Sequence, residues 1–80
     1  MSERWYERVS ALMLTQENEN KELEQRYFPQ VEITDIDEMG NEIRSGFCNL
    51  LDKHGKSIYF KSEIGAINYA IKCRDKHNSY

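Results

Sequence analysis

The segment from Gly55 to Cys73 constrains the fold more than any other part of the chain. It opens with a glycine suited to a turn and continues with Ser57-Ile-Tyr-Phe60, a composition typical of a short strand. Ser62 then stands where a helix N-cap is needed. The apolar residues that follow recur at helical spacing: Ile64, Ile67, Ala70 and Ile71. The segment therefore predicts a turn, a strand and an amphipathic helix over residues 62–76, and it contains no catalytic motif.

The first fifteen residues have the spacing of a helix. Trp5, Val9 and Leu12 fall on one stripe, and Ser2 can cap the first turn. A helix is therefore predicted over residues 2–15. The polar stretch from Gln16 to Lys21 then favours a break or bend in residues 16–27; the alternative is a second half that projects and meets a partner. Pro29 is expected to end the helical region.

After Pro29 the hydrophobic period changes to two residues. Val31–Thr34 alternates as a strand does, residues 37–41 read as a turn, and a second strand is expected from Glu42 to about Leu51 with a bulge at Gly46. Residues 52–56 form the next hairpin loop. The predicted fold is α+β in the order α-β-β-β-α, a three-stranded antiparallel meander with helices packed on one face. The expected core consists of Phe60, Ile67 and Ile71 with Trp5, Val9 and Leu12.

The length and composition favour one small intracellular domain. Eighty residues allow a single domain over residues 1–80 with a thin core. No apolar run approaches the roughly 20 residues of a membrane span, and the first residues lack the apolar core of a signal peptide. We therefore expect a cytoplasmic protein without a membrane partner, with both cysteines reduced.

Charge is segregated along the chain. Residues 17–42 carry nine acids against two bases, a net charge of −7, whereas residues 43–80 carry a net charge of +4. Such segregation is typical of an interaction surface, although attraction between the two parts within the fold would also account for it.

A metal site and an active site are both disfavoured. Cys48, His54, Cys73 and His77 have the general disposition of a zinc site, but five residues separate the first two ligands, where two to four are usual. The four glycines are dispersed, so no phosphate-binding loop is present, and neither thiol has a catalytic context. We expect no enzyme activity, no cofactor, and no catalytic or metal-binding residues.

The predicted element order resembles that of the double-stranded-RNA-binding domain. Such a domain would place lysines at the start of its last helix, where this chain reads Lys61-Ser-Glu-Ile-Gly-Ala66. The segment from Ile58 to Tyr69 is also similar to the end of phage-integrase arm-binding and AP2-type domains, which read DNA with a sheet. These resemblances imply nucleic-acid binding through the basic C-terminal third. A net charge of −3 and an isoelectric point near 5.3 disfavour it.

The sequence predicts a non-enzymatic protein-binding or regulatory module acting through an acidic surface. Small adaptors and inhibitors encoded by phages or mobile elements share this profile, and a nucleic-acid-binding domain is the alternative. Acids would steer association with a basic partner, and exposed apolar residues would anchor it. A homodimer through the first helix is a further expectation. The candidate partner-binding residues are Glu17, Glu19, Glu22, Glu24, Asp35, Asp37, Glu38, Leu14 and Tyr6.

Overall fold

The computed structural model describes residues 3–79, which form a three-stranded antiparallel sheet followed by one helix. The strands lie side by side in chain order. The architecture is therefore α+β in the order β-β-β-α. The elements are β1 Glu3–Glu17, β2 Leu23–Ile36, β3 Glu42–Asn49 and α1 Glu63–Asn78. Within residues 3–79, no helix has the length and apolar character needed to cross a membrane.

The predicted helix over residues 2–15 is wrong, because residues 3–17 form β1. Its proposed cap, Ser2, lies outside the described residues. Strand β1 pairs with β2 and is interrupted by one bulge between Tyr6 and Val9. The bulge adds a residue to β1, so Tyr6 and Val9 face the same side of the sheet although they are three positions apart. Tyr6 and Val9 therefore have the three-residue spacing of a helix face although they lie in a strand.

Residues 16–27 are not a broken or projecting helix either. They comprise the end of β1, a turn and the beginning of β2. The polar stretch that predicted a break does interrupt the element: in the turn, the side chain of Asn18 accepts the N–H groups of Asn20 and Glu22. Because residues 3–17 form a strand, the helix through which a homodimer was expected does not exist there, and the homodimer itself stays a prediction.

Pro29 lies in the middle of β2 and is fully buried, rather than marking the end of a helix. Its carbonyl accepts the N–H of Leu50 at 2.8 Å, but proline has no N–H to donate in return. Strand β3 ends at Asn49, and the edge of β2 is bonded instead through Tyr27 to Phe60. Pro29 thus divides this edge of β2 between β3 and the segment that leads into α1.

Both predicted turns are confirmed. In Asp37–Asn41 and in Asp52–Lys56, the aspartate side chain accepts the N–H groups of the residues two and four positions later. Gly40 and Gly55 occupy the same place in the two turns, with φ of 83° and 76°. Glycine reaches these angles without the strain that a side chain would bring, which is why the two turns can close in this form.

The remaining strand predictions are partly correct. Gly46 lies at a register shift in β3, where the bulge was expected, with φ of 78°. The strand predicted over Ser57–Phe60 is replaced by two isolated bridges, Leu51 with Ser57 and Tyr27 with Phe60. The sheet does have three strands, but residues 3–17 of β1 supply the one that was predicted for Ser57–Phe60.

Helix α1 begins as predicted, with the Ser62 hydroxyl accepting the N–H of Gly65 at 3.1 Å. The helix packs on β1 and β2. Its fully buried residues are Ala66 and Ala70, whereas Ile67 and Ile71, expected in the core, are only half-buried. Alanine carries nothing beyond Cβ, so the helix can approach the sheet closely. Ala70 joins Val31 and Ile33 of β2 in the central cluster.

The last turn of α1 is bonded to the outer edge of β1. The Asn78 side chain accepts the N–H of Tyr6 at 3.1 Å and donates to its carbonyl at 2.6 Å, as a neighbouring strand would. The His77 ring stacks on the Tyr6 ring with centroids 3.9 Å apart, and its Nε2 lies 3.0 Å from the Arg4 carbonyl. These contacts cover part of a strand edge that would otherwise be open to pairing.

The central cluster predicts the cost of truncating Val31, which is 1% exposed. Val31→Ala should lower the free energy of unfolding by about 2 kcal/mol, because it removes buried methyl groups and leaves a cavity. Ile64→Ala, at a position 72% exposed on α1, is the matched control and should change stability by less than about 0.5 kcal/mol. Urea unfolding of both variants tests this. Equal losses would contradict the assignment of the core.

Candidate interaction surface on the open face of the sheet

One face of the sheet packs against α1, and the other has no helix over it in the part of the chain that the structure describes. Val31 and Ile33 face α1, since they pack with Ala70, so the alternate residues of β2 point the other way. Residues paired across the ladder share a face. We call the uncovered side the open face; its side chains are Glu3, Trp5, Arg8, Ser10, Leu12, Leu14, Gln16, Glu24, Arg26, Phe28, Gln30, Glu32, Thr34, Ile36, Glu42, Arg44, Phe47 and Asn49.

The bulge in β1 also corrects the predicted core. Tyr6 and Val9 pack near the central cluster on the helix side. Trp5 pairs with Thr34 and Leu12 with Phe28, which both point away from α1, so Trp5 and Leu12 lie on the open face. The prediction that Trp5, Val9 and Leu12 share one buried face is therefore wrong.

A bidentate ion pair crosses the open face between β1 and β2. Arg8 donates to the two carboxylate oxygens of Glu32 at 3.1 and 2.9 Å. The guanidinium carbon of Arg8 also lies 5.8 Å from the centre of the Phe47 ring of β3. The hydrogen bond from Arg8 lowers the pKa of Glu32 below its ordinary value, with a smaller contribution from Arg44. A carboxylate, an arginine and an aromatic ring thus meet across all three strands.

A second arginine repeats this arrangement towards the β1–β2 turn. Arg26 donates to Glu24 and to the Gln16 side chain, each at 3.0 Å. Its guanidinium carbon lies 4.4 Å from the centre of the Tyr59 ring, which in turn lies 5.9 Å from the Phe28 ring at a tilt of 50°. Arg26 is held on one side by a carboxylate and on the other by an aromatic ring.

Large apolar side chains on and beside the open face are exposed to solvent. Leu12, Leu14, Phe47 and Tyr59 are between 39% and 41% exposed. Leu12 is paired with Phe28 and Leu14 with Arg26, so the two leucines continue the Phe28–Tyr59 cluster across the sheet. Aromatic residues and arginines grouped in this way are enriched in protein–protein contacts.

A polar hollow of about 400 Å³ lies on the open face towards the β2–β3 turn. Its floor includes Thr34, which is 4% exposed. Its lining combines carboxylates and guanidinium groups from all three strands: Glu7, Arg8, Glu32, Thr34, Glu42 and Arg44. The hollow therefore lies between the exposed apolar side chains of the open face and the β2–β3 turn.

The residues predicted to form one acidic surface are divided between two ends of the sheet. Glu17, Glu19, Glu22 and Glu24 lie at or near the β1–β2 turn, and Asp35, Asp37 and Glu38 at or near the β2–β3 turn. Strand β2 separates the two groups, and its 14 residues span about 46 Å. The acids therefore form two separate groups, one at each end of the sheet, rather than one continuous surface. We call these groups the acidic ends.

Several of the predicted acids and one of the two predicted apolar anchors, Tyr6, have structural contacts. Asp35 accepts two hydrogen bonds from Arg4, and the pKa of Asp35 is lowered by them. Asp37 organises its turn. Leu14 lies on the open face, while Tyr6 faces α1 and stacks on His77. The structure therefore does not bring the two anchors together.

The sequence reasoning placed Arg44 at an exposed strand position but missed Arg8, Arg26 and Phe47. The signal is present in β2, where Arg26, Phe28, Gln30, Glu32 and Thr34 alternate with the buried set. The helical interpretation of the region before Pro29 concealed the first part of that alternation.

The chemistry-bearing residues on the helix side do not assemble a metal centre. Among residues 3–79, no group of three or more histidine, cysteine, aspartate or glutamate side chains could hold a metal ion. Cys48 is an exposed free thiol on β3, and Cys73 is a half-buried one on α1. A cavity of about 570 Å³ beside Cys73 is lined by Tyr6, Asn49, Leu50, Leu51, Cys73, Lys76 and His77.

Comparison with protein-family models, curated proteins and solved structures finds no match.

The Arg8–Glu32 pair predicts an acid-dependent loss of stability. Because the pKa of Glu32 is lower in the folded protein, the unfolded chain takes up the proton first as the pH falls. The free energy of unfolding should therefore fall below about pH 5. Glu32→Gln and Arg8→Gln should each reduce this dependence, measured by urea unfolding between pH 7 and pH 3. If the free energy of unfolding of both variants depends on pH as that of the wild type does, the Arg8–Glu32 pair does not contribute to the loss of stability in acid.

Proposed function

We propose that the chain is a non-enzymatic protein-binding module, a small adaptor or inhibitor, and that the open face is its contact surface. The observation that carries the proposal is the set of apolar side chains about 40% exposed, Leu12, Leu14, Phe47 and Tyr59, beside arginines already held in place. Aromatic and arginine side chains supply most of the energy in protein interfaces. Their fixed positions reduce the entropy lost on binding.

The electrostatics favour a protein partner over nucleic acid. Arg8 and Arg26 are each paired with a glutamate on the open face, so their positive charge is balanced there. Binding to a phosphate backbone depends on cationic groups that displace counterions, and the chain carries a net charge of −3. The β-β-β-α order also lacks the first helix on which the resemblance to double-stranded-RNA-binding domains rested.

A nucleic-acid reader remains the second candidate, supported by one specific feature. Trp5, Arg8 and Arg44 lie on an uncovered antiparallel sheet, and the phage-integrase arm-binding and AP2-type domains, which the chain resembles near its last helix, read DNA with a sheet. Glu32 and Glu42 lie among these side chains and would oppose the phosphates.

The open face can be tested with variants on its β3 side. Phe47→Ser with Tyr59→Ser should weaken binding of the captured protein partner at least tenfold, because both rings would be lost from the contact. Met39→Ser with Ile64→Ser is the matched control, since both residues are exposed apolar side chains away from the open face, and it should bind normally. Capture from the source cell, followed by titration calorimetry with the purified partner, supplies the measurement.

Two results would contradict the proposal. Capture that disappears after nuclease treatment would promote the nucleic-acid candidate. Normal partner binding by a folded Phe47→Ser/Tyr59→Ser variant would remove the open face as the contact surface. Thermal unfolding followed by circular dichroism separates loss of binding from loss of fold.

The acidic ends have a kinetic role in this proposal. Glu17 and Glu19 near one turn and Asp37 and Glu38 near the other would steer the module towards a basic partner, raising the association rate more than the final affinity. Neutralising all four to amides should slow association several-fold and flatten its salt dependence in stopped-flow measurements. An unchanged rate would leave the ends as solvated turns and would not affect the assignment of the open face.

A further inference from the structure

The outer edge of β1 is covered by α1 over only part of its length. Asn78 bonds to the backbone of Tyr6, and Arg74 donates to the Glu7 carbonyl at 3.5 Å. Beyond the bulge, no strand pairs with the outer side of Val9–Glu17 in the described residues. Residues 9–16 in this stretch carry no charge. Long uncharged strand edges are templates for pairing, and proteins usually protect them with charges, proline or a bulge.

The register of the sheet shows which backbone groups face outwards along this edge. Tyr27 exchanges both backbone hydrogen bonds with Phe60, so its N–H and C=O point away from β1. Met13 is the partner of Tyr27 in β1, and the two form a pair that is not hydrogen-bonded to each other. In such a pair of an antiparallel ladder, the N–H and C=O groups of each residue point away from the other strand. The backbone groups of Met13 therefore face outwards. The outward groups of Met13 recur at alternate residues, giving the outward set Val9, Ala11, Met13, Thr15 and Glu17.

We propose that the free edge of β1 pairs antiparallel with the same edge of a second copy, about a two-fold axis at Met13. Met13 then faces Met13 of the second copy, Ala11 faces Thr15, and Val9 faces Glu17. Every pair joins outward-facing groups to outward-facing groups, so each can exchange two hydrogen bonds. The open edge ends at the bulge on one side and at the β1–β2 turn on the other. This register therefore uses its whole length.

The side chains are compatible with this register. On the open face Leu12 would lie opposite Leu14 of the second copy, extending the apolar cluster that begins at Phe28. On the helix side Glu17 of the second copy would lie beside Val9, close to Arg74, whose side chain is 31% exposed and is already bonded to Asp75 at 3.2 Å. Two-fold symmetry repeats the contact of Glu17 with the Arg74–Asp75 pair at both ends, and the paired residues 10–16 between the ends carry no charge.

The extent of the contact sets the strength expected. The paired segments are about 30 Å long but only one strand wide. Such a contact buries less than the roughly 1,200 Å² at the lower limit of standard interfaces, so we expect a dissociation constant in the micromolar range. The result would be a sheet of six strands, three from each copy. This inference does not depend on the proposed function, because it concerns the edge of β1 rather than the open face.

The decisive variant replaces an outward-facing N–H. Met13→Pro removes a hydrogen-bond donor from the dimer contact without removing one from the β1–β2 ladder, since proline is tolerated where the N–H of an edge strand faces solvent. Met13→Thr is the matched control that keeps the N–H. Sedimentation equilibrium from 1 µM to 1 mM should show dimerisation of the wild type and of Met13→Thr, and at least tenfold weaker association of Met13→Pro.

A charge exchange tests the register independently. Glu17→Arg and Arg74→Glu should each weaken dimerisation several-fold, and the double variant should recover it, because the opposite charges would again face each other across the two-fold axis. A wild type that stays monomeric at 1 mM, or a folded Met13→Pro variant that dimerises normally, would overturn the proposal. Failure of the double variant to recover would overturn the register centred on Met13. Normal dimerisation of Phe47→Ser/Tyr59→Ser would show that edge and open face act separately.

Discussion

Helix α1 is much shorter than the hairpin on which it packs, and the exposed parts of the molecule follow from this difference. The 16 residues of the helix span about 24 Å, whereas the 14 residues of β2 span about 46 Å. One helix therefore covers only part of the hairpin. The rest projects, giving the molecule a longest dimension of 52 Å and leaving residues 12–17 of β1 exposed. The free edge of β1 and the exposed leucines of the open face both lie in this projecting part.

The open face combines exposure with order because its polar groups bind one another. Arg8 and Arg26 each have a carboxylate on one side and an aromatic ring on the other. Exposed ion pairs add little to stability. They do fix long side chains that would otherwise sample many rotamers, so their main effect here is to hold a nearly neutral surface in one arrangement.

The turns and the helix start in the C-terminal half of the fold were predictable because their signals are local. The two aspartate–glycine turns and the Ser62 cap act through hydrogen bonds within a few residues, and the structure has all three. The N-terminal half was not predictable, since the bulge after Tyr6 breaks the two-residue period. An uncovered face of the sheet was predicted, but most of its residues were missed for a related reason: they can be assigned only when β1 is a strand in a known register. The acids of the two turns were identified individually, but their separation along β2 depends on the same register.

The bond between Asn78 and Tyr6 joins residues 72 positions apart. Contacts of such large sequence separation form late, because the chain entropy lost in closing the loop must be overcome first. During synthesis the three strands emerge before α1, so the hairpin is complete while its outer edge has no covering helix. Nascent chains held close together on one messenger RNA would thus present open β1 edges to each other. The timing of helix docking, and not only the stability of the finished domain, would then determine how many chains reach the monomeric fold.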